Sequence, residues 1–234
     1  MNINASKTKV ISFNDNAGLH QANYSLNVTS IEQVPSYKYL GITLTEDLTW
    51  NLHIETVLKK AARTLGFLRR SLHQASHQTK LVAYKTLVRS RLEYGSIIWN
   101  PHQSYLVNSL ESLQNKAARF IHQNYSPMTS VSQLKSELNL SPLSTRRKLS
   151  RLCFFHNMYY NLPHLNSIYC HLPSYISPRC DHELKVEPLQ SRTNRHKFSP
   201  LSLCIKDWNS LPATIVTIND SLLFRSTCKL FLNV

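Results

Sequence analysis

The stretch that decides the fold is NLHIETVLKKAARTLGFLRRSL, residues 51–72. If successive residues turn by about 100°, as in an α-helix, its apolar side chains fall on one stripe. That stripe contains Ile54, Val57, Leu58, Ala61, Leu65, Leu68 and Leu72. The opposite side carries Lys59, Lys60, Arg63 and Arg70, with Phe67 beside them. The pattern predicts an amphipathic helix with a buried apolar face and an exposed basic face.

Helical periods continue after this stretch. Apolar spacings of three and four predict helices over about 81–99, ended by Pro101, then from about 104 to 120 and over 131–138. Ser141-Pro142 is a typical cap and first-turn pair for another helix, which would run to about Tyr160. A last short helix is predicted from near Ser221. Residues 51–160 are therefore expected to form a helical bundle.

The first 50 residues show the short, partly alternating runs that are typical of strands. The candidate strands are Lys9–Phe13, Tyr24–Val28 and Tyr37–Leu44, and the turn-prone cluster Asn14–Gly18 closes the first of them. We expect a small antiparallel sheet that is too small to bury a core by itself.

In the region after the bundle, the apolar residues show no regular helical or strand-like spacing. Prolines interrupt this region at Pro163, Pro173, Pro178, Pro188 and Pro200. Such a stretch is typical of loop with short extended pieces. The predicted fold class is thus α+β, with a small N-terminal antiparallel sheet, a mainly α-helical bundle and an irregular C-terminal region. The corresponding segments are 1–50, 51–160, 161–200 and 201–234, the last with the final helix.

The sequence is much more basic than that of an ordinary globular domain. Lys and Arg number 27 against 13 Asp and Glu, which gives a net charge of +14 and a pI of about 9.7. Such an excess favours a polyanionic partner, either nucleic acid or an anionic membrane surface. We favour nucleic acid because the apolar stripes recur in successive helices and can bury one another. A basic domain without a specific partner is the alternative.

The sequence is poor in catalytic patterns. Its adjacent acids, Glu46-Asp47, come just before the first helix and are interpreted as its start signal. No two aspartates are adjacent, whereas two-metal nucleotidyl transfer needs paired carboxylates. The four glycines are too dispersed for a phosphate loop. We expect no catalytic residue, metal, cofactor or small-molecule substrate in this chain, and no polymerase activity from the chain alone.

The five cysteines are odd in number and scattered, which favours free thiols in a reducing compartment. Four residues, Cys170, His171, Cys180 and His182, could supply zinc ligands, but their spacing matches no zinc finger or knuckle, and ordinary loop residues are the alternative. No apolar run approaches the length of a membrane span, and no apolar region follows Met1 as in a secretory signal. An intracellular protein, nuclear or cytoplasmic and not secreted, is expected.

Several short blocks of the sequence occur in a fixed order. They are Asn4–Phe13, Tyr37–Leu44, Ala62–Arg70, Tyr84–Tyr94, Trp99–Pro101, Lys116–Phe120 and Trp208–Pro212. In this order and spacing they resemble the C-terminal part of reverse transcriptases of non-LTR (LINE-type, jockey-like) retrotransposons. The resemblance covers residues 1–160 well, 196–232 more loosely and 161–195 poorly. It implies the end of the palm, the primer grip and thumb-like helices of an RNA-directed DNA polymerase.

The resemblance also implies roles for residues. Lys7 matches a lysine beside the active site that is proposed to aid the departure of pyrophosphate, the alternative being an ordinary exposed lysine. The block at Tyr39, Leu40 and Gly41 matches the one that helps to place the primer 3′ end, the alternative being a bulge or tight strand packing. The residues that would meet the phosphates of a template–primer duplex (RNA, DNA or an RNA–DNA hybrid) are Lys59, Lys60, Arg63, Arg69 and Arg70. Phe67 beside them could stack on a base or sugar of the nucleic acid, the alternative being packing against another helix.

The resemblance also implies what this chain would lack. The family's fingers, catalytic carboxylates and endonuclease would precede Met1, and Mg²⁺ is expected only for a full-length polymerase. A fragment of the polymerase that contributes template–primer binding is the favoured interpretation. A stand-alone basic nucleic-acid-binding module and a non-functional transposon remnant are the alternatives.

Overall fold

The computed structural model describes residues 4, 7–13, 23–26, 29–177 and 181–234. Contacts divide the chain into two compact units, Met1–Val57 and Leu58–Val234. Short antiparallel strand pairs lie in the first unit and helices make up most of the second, so the predicted α+β class is confirmed. The division into four segments at residues 50, 160 and 200 stays a prediction.

Among the described residues of the first unit, the antiparallel pairing takes the form of two separate strand pairs instead of one sheet. These pairs are β1 (Ser25–Leu26) with β2 (Thr29–Ser30), and β3 (Ser36–Tyr39) with β4 (Ile42–Thr45). The strand expected at Lys9–Phe13 is reduced to a single parallel bridge between Val10 and Gln33. The turn expected at Asn14–Gly18 lies outside the described residues.

The single strand predicted over Tyr37–Leu44 is wrong, because this stretch is a hairpin. Its two-residue turn has Leu40 at φ 45° and Gly41 at φ 88°. Two central residues with positive φ are typical of a type I′ turn, whose twist matches that of the flanking strands. The turn escaped prediction because leucine replaces the asparagine or aspartate usual at the first central position.

This turn gives a prediction about local stability. Gly41→Ala places a Cβ at φ 88° and should cost about 1–2 kcal/mol, whereas Leu40→Asn should relieve strain at the neighbouring position. Amide hydrogen exchange across Ser36–Thr45 should therefore become faster in the first variant and slower in the second. Unchanged exchange in both variants would contradict the turn conformation.

One of the acids before the first helix, Asp47, is held by hydrogen bonds in a turn. The Asp47 carboxylate accepts hydrogen bonds from the Thr49 backbone N–H at 3.1 Å and from the Thr45 hydroxyl at 2.5 Å. The helix begins two residues after Thr49, at Asn51. Asp47 therefore closes the turn between β4 and the helix, and the prediction that Glu46-Asp47 marks the helix start stays a prediction.

The helices give the second unit its architecture. Their bounds are α1 Asn51–Ser71 (which begins in the first unit), α2 His77–Ala83, a π-helical stretch Tyr84–Arg89, α3 Ser90–Glu93, α4 Ser104–His122, α5 Val131–Glu137, α6 Leu143–Asn161, α7 Pro163–Tyr169, α8 Asn194–Lys197, α9 Pro200–Asn209, α10 Ala213–Val216 and α11 Ser221–Leu232. None of the described helices is both long enough and apolar enough to span a membrane.

One predicted helix end is wrong. The helix that was to end at Pro101 ends at Glu93, because Tyr94 leaves the helical conformation and Gly95 adopts φ 64°. The indole N–H of the fully buried Trp99 then donates to the Tyr94 carbonyl at 2.8 Å. The change of backbone conformation at Tyr94 and Gly95 therefore ends the helix before Pro101.

The start of α6 is also capped differently from the prediction. Ser141 provides no side-chain cap. Instead, Glu111 of α4 accepts hydrogen bonds from the backbone N–H groups of Leu143, at 2.5 Å, and Ser144, at 3.3 Å. A carboxylate at a helix N-terminus satisfies open N–H groups and favours the helix dipole. The cap thus joins two helices that are distant in sequence.

The segment 161–200 is more helical than predicted. Pro163 occupies the first turn of α7, where proline is well tolerated, so it begins a helix instead of interrupting one. The short helix α8 also lies in this segment. The extended pieces expected here do not occur as strands within the described part of the segment.

The core of the C-terminal part surrounds Trp208, which is fully buried. Helix α6 packs against α9 and α11, and the ring of Trp208 lies 5.3 Å from Phe155 of α6 and 6.0 Å from Phe224 of α11. Its indole N–H donates to the Leu184 carbonyl at 2.9 Å. Trp208 therefore fastens the preceding loop to the helices.

The residues on either side of Trp208 complete this attachment. Asp207 binds Arg151 of α6, with the carboxylate 2.8 Å from Nε and 2.7 Å from an Nη atom. The Asn209 side chain accepts from the Val186 N–H at 3.0 Å and donates to the Val186 carbonyl at 2.7 Å. The first two residues of the Trp208–Pro212 block, Trp208 and Asn209, thus connect α9 to the preceding loop.

Candidate nucleic-acid interface

Helix α1 separates its apolar and basic residues as the sequence predicted. Ile54, Ala61, Leu65 and Leu68 are buried. On the other side, a basic ridge (Lys59, Lys60, Arg63, Phe67 and Arg70) is exposed. More than half of the Phe67 surface, 57%, is accessible, which is unusual for a large aromatic side chain. The apolar face of α1 is thus buried, and the basic ridge lies at the surface.

The spacing of the basic ridge suits a phosphate backbone. Lys59, Arg63, Phe67 and Arg70 follow one another at intervals of three and four residues, so they form a row along one side of α1. From Lys59 to Arg70 the row is about 16 Å long at 1.5 Å per residue. A duplex of that length presents several phosphates from each strand.

Arg69 lies beside the ridge and contacts a residue that sequence reasoning missed. Its guanidinium is 5.3 Å from the centre of the Tyr125 ring, in a cation–π arrangement. Together with Gly66 and Arg70, these residues line a small open cavity of about 330 Å³. Tyr125 is 52% accessible, so one end of the ridge carries an aromatic ring with two guanidinium groups.

The loop after α4 holds Tyr125 in place. Arg119 donates to the Ser126 carbonyl at 2.8 Å, and the Asn124 side chain accepts from the Ser126 N–H at 3.1 Å. Gln123, in the left-handed conformation at φ 52°, donates from its side chain to the His73 carbonyl. No local pattern could have indicated Tyr125, because only the tertiary fold brings this loop to α1.

The remaining predicted site residues belong to the first unit. Lys7 is exposed, its backbone N–H donates to the Asn4 carbonyl at 3.1 Å, and its carbonyl accepts from the Tyr37 hydroxyl at 3.1 Å. Tyr39 and Leu40 are 61% and 71% accessible at the tip of the β3–β4 hairpin. Gly41 serves the turn, so the bulge considered for it is not formed. Lys7 is thus tied to Tyr37, which lies on the same hairpin as Tyr39.

The predicted site therefore falls into two groups, one in each compact unit. Lys7, Tyr39, Leu40 and Gly41 belong to the first, and Lys59, Lys60, Arg63, Phe67, Arg69 and Arg70 to the second. Within the second unit the ridge residues share one helix face, with Arg69 at its flank.

Many basic residues outside α1 are used inside the fold. On α6, Arg146 pairs with Glu93, and Arg151 with Asp207. Arg147 is almost fully buried, with its Nε donating to Asn100 at 3.0 Å. Burial lowers the pKa of Arg147 to about 10, which still leaves it charged at neutral pH. These basic residues of α6 thus serve mainly structural contacts.

No group of three or more His, Cys, Asp or Glu side chains able to hold a metal occurs in the described part of the chain. Of the candidate zinc ligands, Cys180 lies outside it. His182 is buried, and its Nε2 is 3.3 Å from the Trp208 carbonyl. Burial raises the pKa of Cys170 to about 11, so its thiol is protonated at neutral pH.

Comparisons with known proteins point to one class of enzyme. Over 123 residues the chain is 32% identical to the RNA-directed DNA polymerase from mobile element jockey of Drosophila melanogaster, a match that covers 51% of this chain and 13% of that protein. Over 99 residues it is 32% identical to the probable RNA-directed DNA polymerase from transposon X-element of the same organism, covering 39% and 11%. One region of the chain is therefore similar to RNA-directed DNA polymerases of transposable elements.

These matches span little more than a tenth of each polymerase, so they concern a small part of a much longer protein. No family model and no solved structure matches the chain.

Proposed function

We propose that this chain is a C-terminal part of a non-LTR retrotransposon reverse transcriptase and that it binds the template–primer duplex. The basic ridge of α1 carries the proposal, because its cations lie on the exposed face of a helix whose other face is buried. The similarity to RNA-directed DNA polymerases supports a nucleic acid as the ligand.

In this proposal the chain grips the duplex without reading its sequence. The side chains of Lys59, Lys60, Arg63 and Arg70 neutralise phosphates, which position a protein on a duplex but carry no sequence information. Phe67 packs against a sugar or the face of a terminal base. Chemistry at the primer end is left to carboxylates elsewhere in a complete polymerase, since the five aspartates of this chain are all separated in sequence.

The hairpin tip at Tyr39–Gly41 is proposed to contact the primer near its 3′ end. Its exposed aromatic ring and tight turn support this role. A stand-alone nucleic-acid-binding module would use the same basic ridge without this contact. The two alternatives differ in one measurable respect, namely whether Tyr39→Ala weakens binding to a primed template more than binding to a blunt duplex.

The proposal predicts salt-dependent binding with little sequence preference. Five cations, those of the ridge and Arg69, would give a slope of log affinity against log salt of about −4 to −5. Titration of an RNA–DNA hybrid and of two unrelated DNA duplexes between about 50 and 200 mM salt measures this slope. A flat salt dependence, or no binding at the lowest salt, would refute the proposal.

A further inference from the structure

A second basic surface lies far from α1 in the sequence. It is a cavity of about 560 Å³ between the loop that precedes α8 and the exposed side of α9. Three lysines line it, Lys185, Lys197 and Lys206, together with apolar side chains that include Leu189 and Ile205. None of the residues lining it is an aspartate or glutamate.

The walls of this cavity are held by specific hydrogen bonds. The paired bonds between Asn209 and Val186 fix one wall to α9. On the other wall, Ser191 Oγ lies 2.9 Å from His196 Nδ1, and the Ser202 hydroxyl donates to the His196 carbonyl at 2.9 Å. Hydrogen bonds within the folded chain therefore fix the positions of both walls of the cavity.

These bonds also determine which groups can act as donors to a ligand. The Ser202 and Ser210 hydroxyls already donate to backbone carbonyls, so the lysines are the main donors among the lining side chains. The Lys197 ammonium lies 5.8 Å from the centre of the Phe198 ring, a contact that leaves its charge unneutralised. Lys185 pairs with Asp181 at 2.6 Å. Neither Lys197 nor Lys206 forms an ion pair with a carboxylate of the described residues. Two ammonium groups beside one cavity repel each other, and a bound anion removes that repulsion.

The surrounding sequence strengthens this local field. Between Lys185 and Lys206 there are five Lys and Arg residues and a single acid, Glu187. Ammonium groups are strongly hydrated point charges, which suit phosphate better than the planar recognition of a carboxylate. The apolar wall at Leu189 and Ile205 can accommodate a sugar or base attached to the phosphate.

We propose that this cavity is a phosphate-binding site, taking the phosphate group of a nucleotide or of a nucleic-acid strand through Lys197 and Lys206. It is separate from the basic ridge, since none of its lining residues belongs to α1. Phosphate binding by this cavity is therefore independent of whether the ridge binds a duplex.

The test is calorimetric titration of the full chain with pyrophosphate and, separately, with a short single-stranded DNA. The Lys197→Ala/Lys206→Ala variant should bind at least one of these ligands about tenfold more weakly than the unchanged chain, the loss expected for charged hydrogen bonds. The matched control is Lys38→Ala/Lys116→Ala, which removes two exposed lysines outside the cavity. The control should bind within about twofold of the unchanged chain.

The two ligands distinguish the source of the phosphate. Loss of pyrophosphate binding identifies a nucleotide or free phosphate site, whereas loss of DNA binding alone identifies a strand phosphate. Equal losses in the variant and the control, or no loss with either ligand, would overturn the proposal.

Lys206→Gln, which keeps a polar side chain, provides the same comparison if the double variant unfolds. The ridge variant Lys59→Ala/Lys60→Ala/Arg63→Ala/Arg70→Ala should retain pyrophosphate binding, so failure of the cavity and failure of the ridge give different results.

Discussion

Replacing Lys59, Lys60, Arg63 and Arg70 together by alanine should weaken duplex binding by on the order of a hundredfold or more at about 50 mM salt. The same change should reduce the salt slope by up to about 4, near 1 for each lost phosphate contact. Folding should be nearly unaffected, because exposed charges contribute little to stability. Fluorescence anisotropy across a salt series measures the binding, and urea unfolding monitors the fold.

The matched control removes two lysines and two arginines from exposed positions outside α1. These positions are Arg91, Lys116, Arg225 and Lys229. The control has the same net charge as the ridge variant, so it should lose affinity only through the general field. If both variants lose affinity equally, binding follows bulk charge and the basic ridge has no special role.

The largest effect on stability is expected from Asp207→Ala. The Asp207 carboxylate is paired with the guanidinium of Arg151, whose side chain is 7% accessible, and it lies 3.7 Å from the ammonium of Lys148. Removing one partner of a buried ion pair leaves an uncompensated charge and should cost about 3–5 kcal/mol. Chemical denaturation monitored by Trp fluorescence measures the loss.

A compensating change distinguishes this explanation from general damage to α9. Replacing both partners by apolar residues of similar volume, Asp207→Leu with Arg151→Met, leaves no buried charge and should recover most of the lost stability. A double variant as unstable as Asp207→Ala would show that the Asp207 carboxylate matters for some other reason, such as its contact with the Lys148 ammonium 3.7 Å away.

Features that come from a periodic pattern repeated over many residues were predictable. The buried and basic faces of α1 follow from spacings repeated over more than five turns, which no local exception could mask. The final helix, predicted from near Ser221, begins at that residue. The side chain of Asp220 caps it by accepting the Leu223 N–H at 2.6 Å. Local pattern and tertiary structure agree at these positions.

Features that depend on distant partners were not predictable. Glu111 caps α6 from another helix, and Tyr125 reaches Arg69 only through the fold. Pro163 was interpreted as a break although it begins α7. The hairpin turn was missed because Leu40 adopts a left-handed conformation that leucine rarely takes. For Glu111 and Tyr125 the partner is distant in sequence, and for Leu40 the conformation is unusual for the residue type.

The position of α6 has a practical consequence for anyone who dissects this protein. The helix contacts α4 and also packs against α9 and α11, so the apolar side chains of Phe155 and Met158 are covered by residues that come much later. A shortened version ending after Asn161 would uncover that surface and should aggregate. Expression boundaries for solution work are therefore better placed beyond Leu232, even when only the α1 surface is of interest.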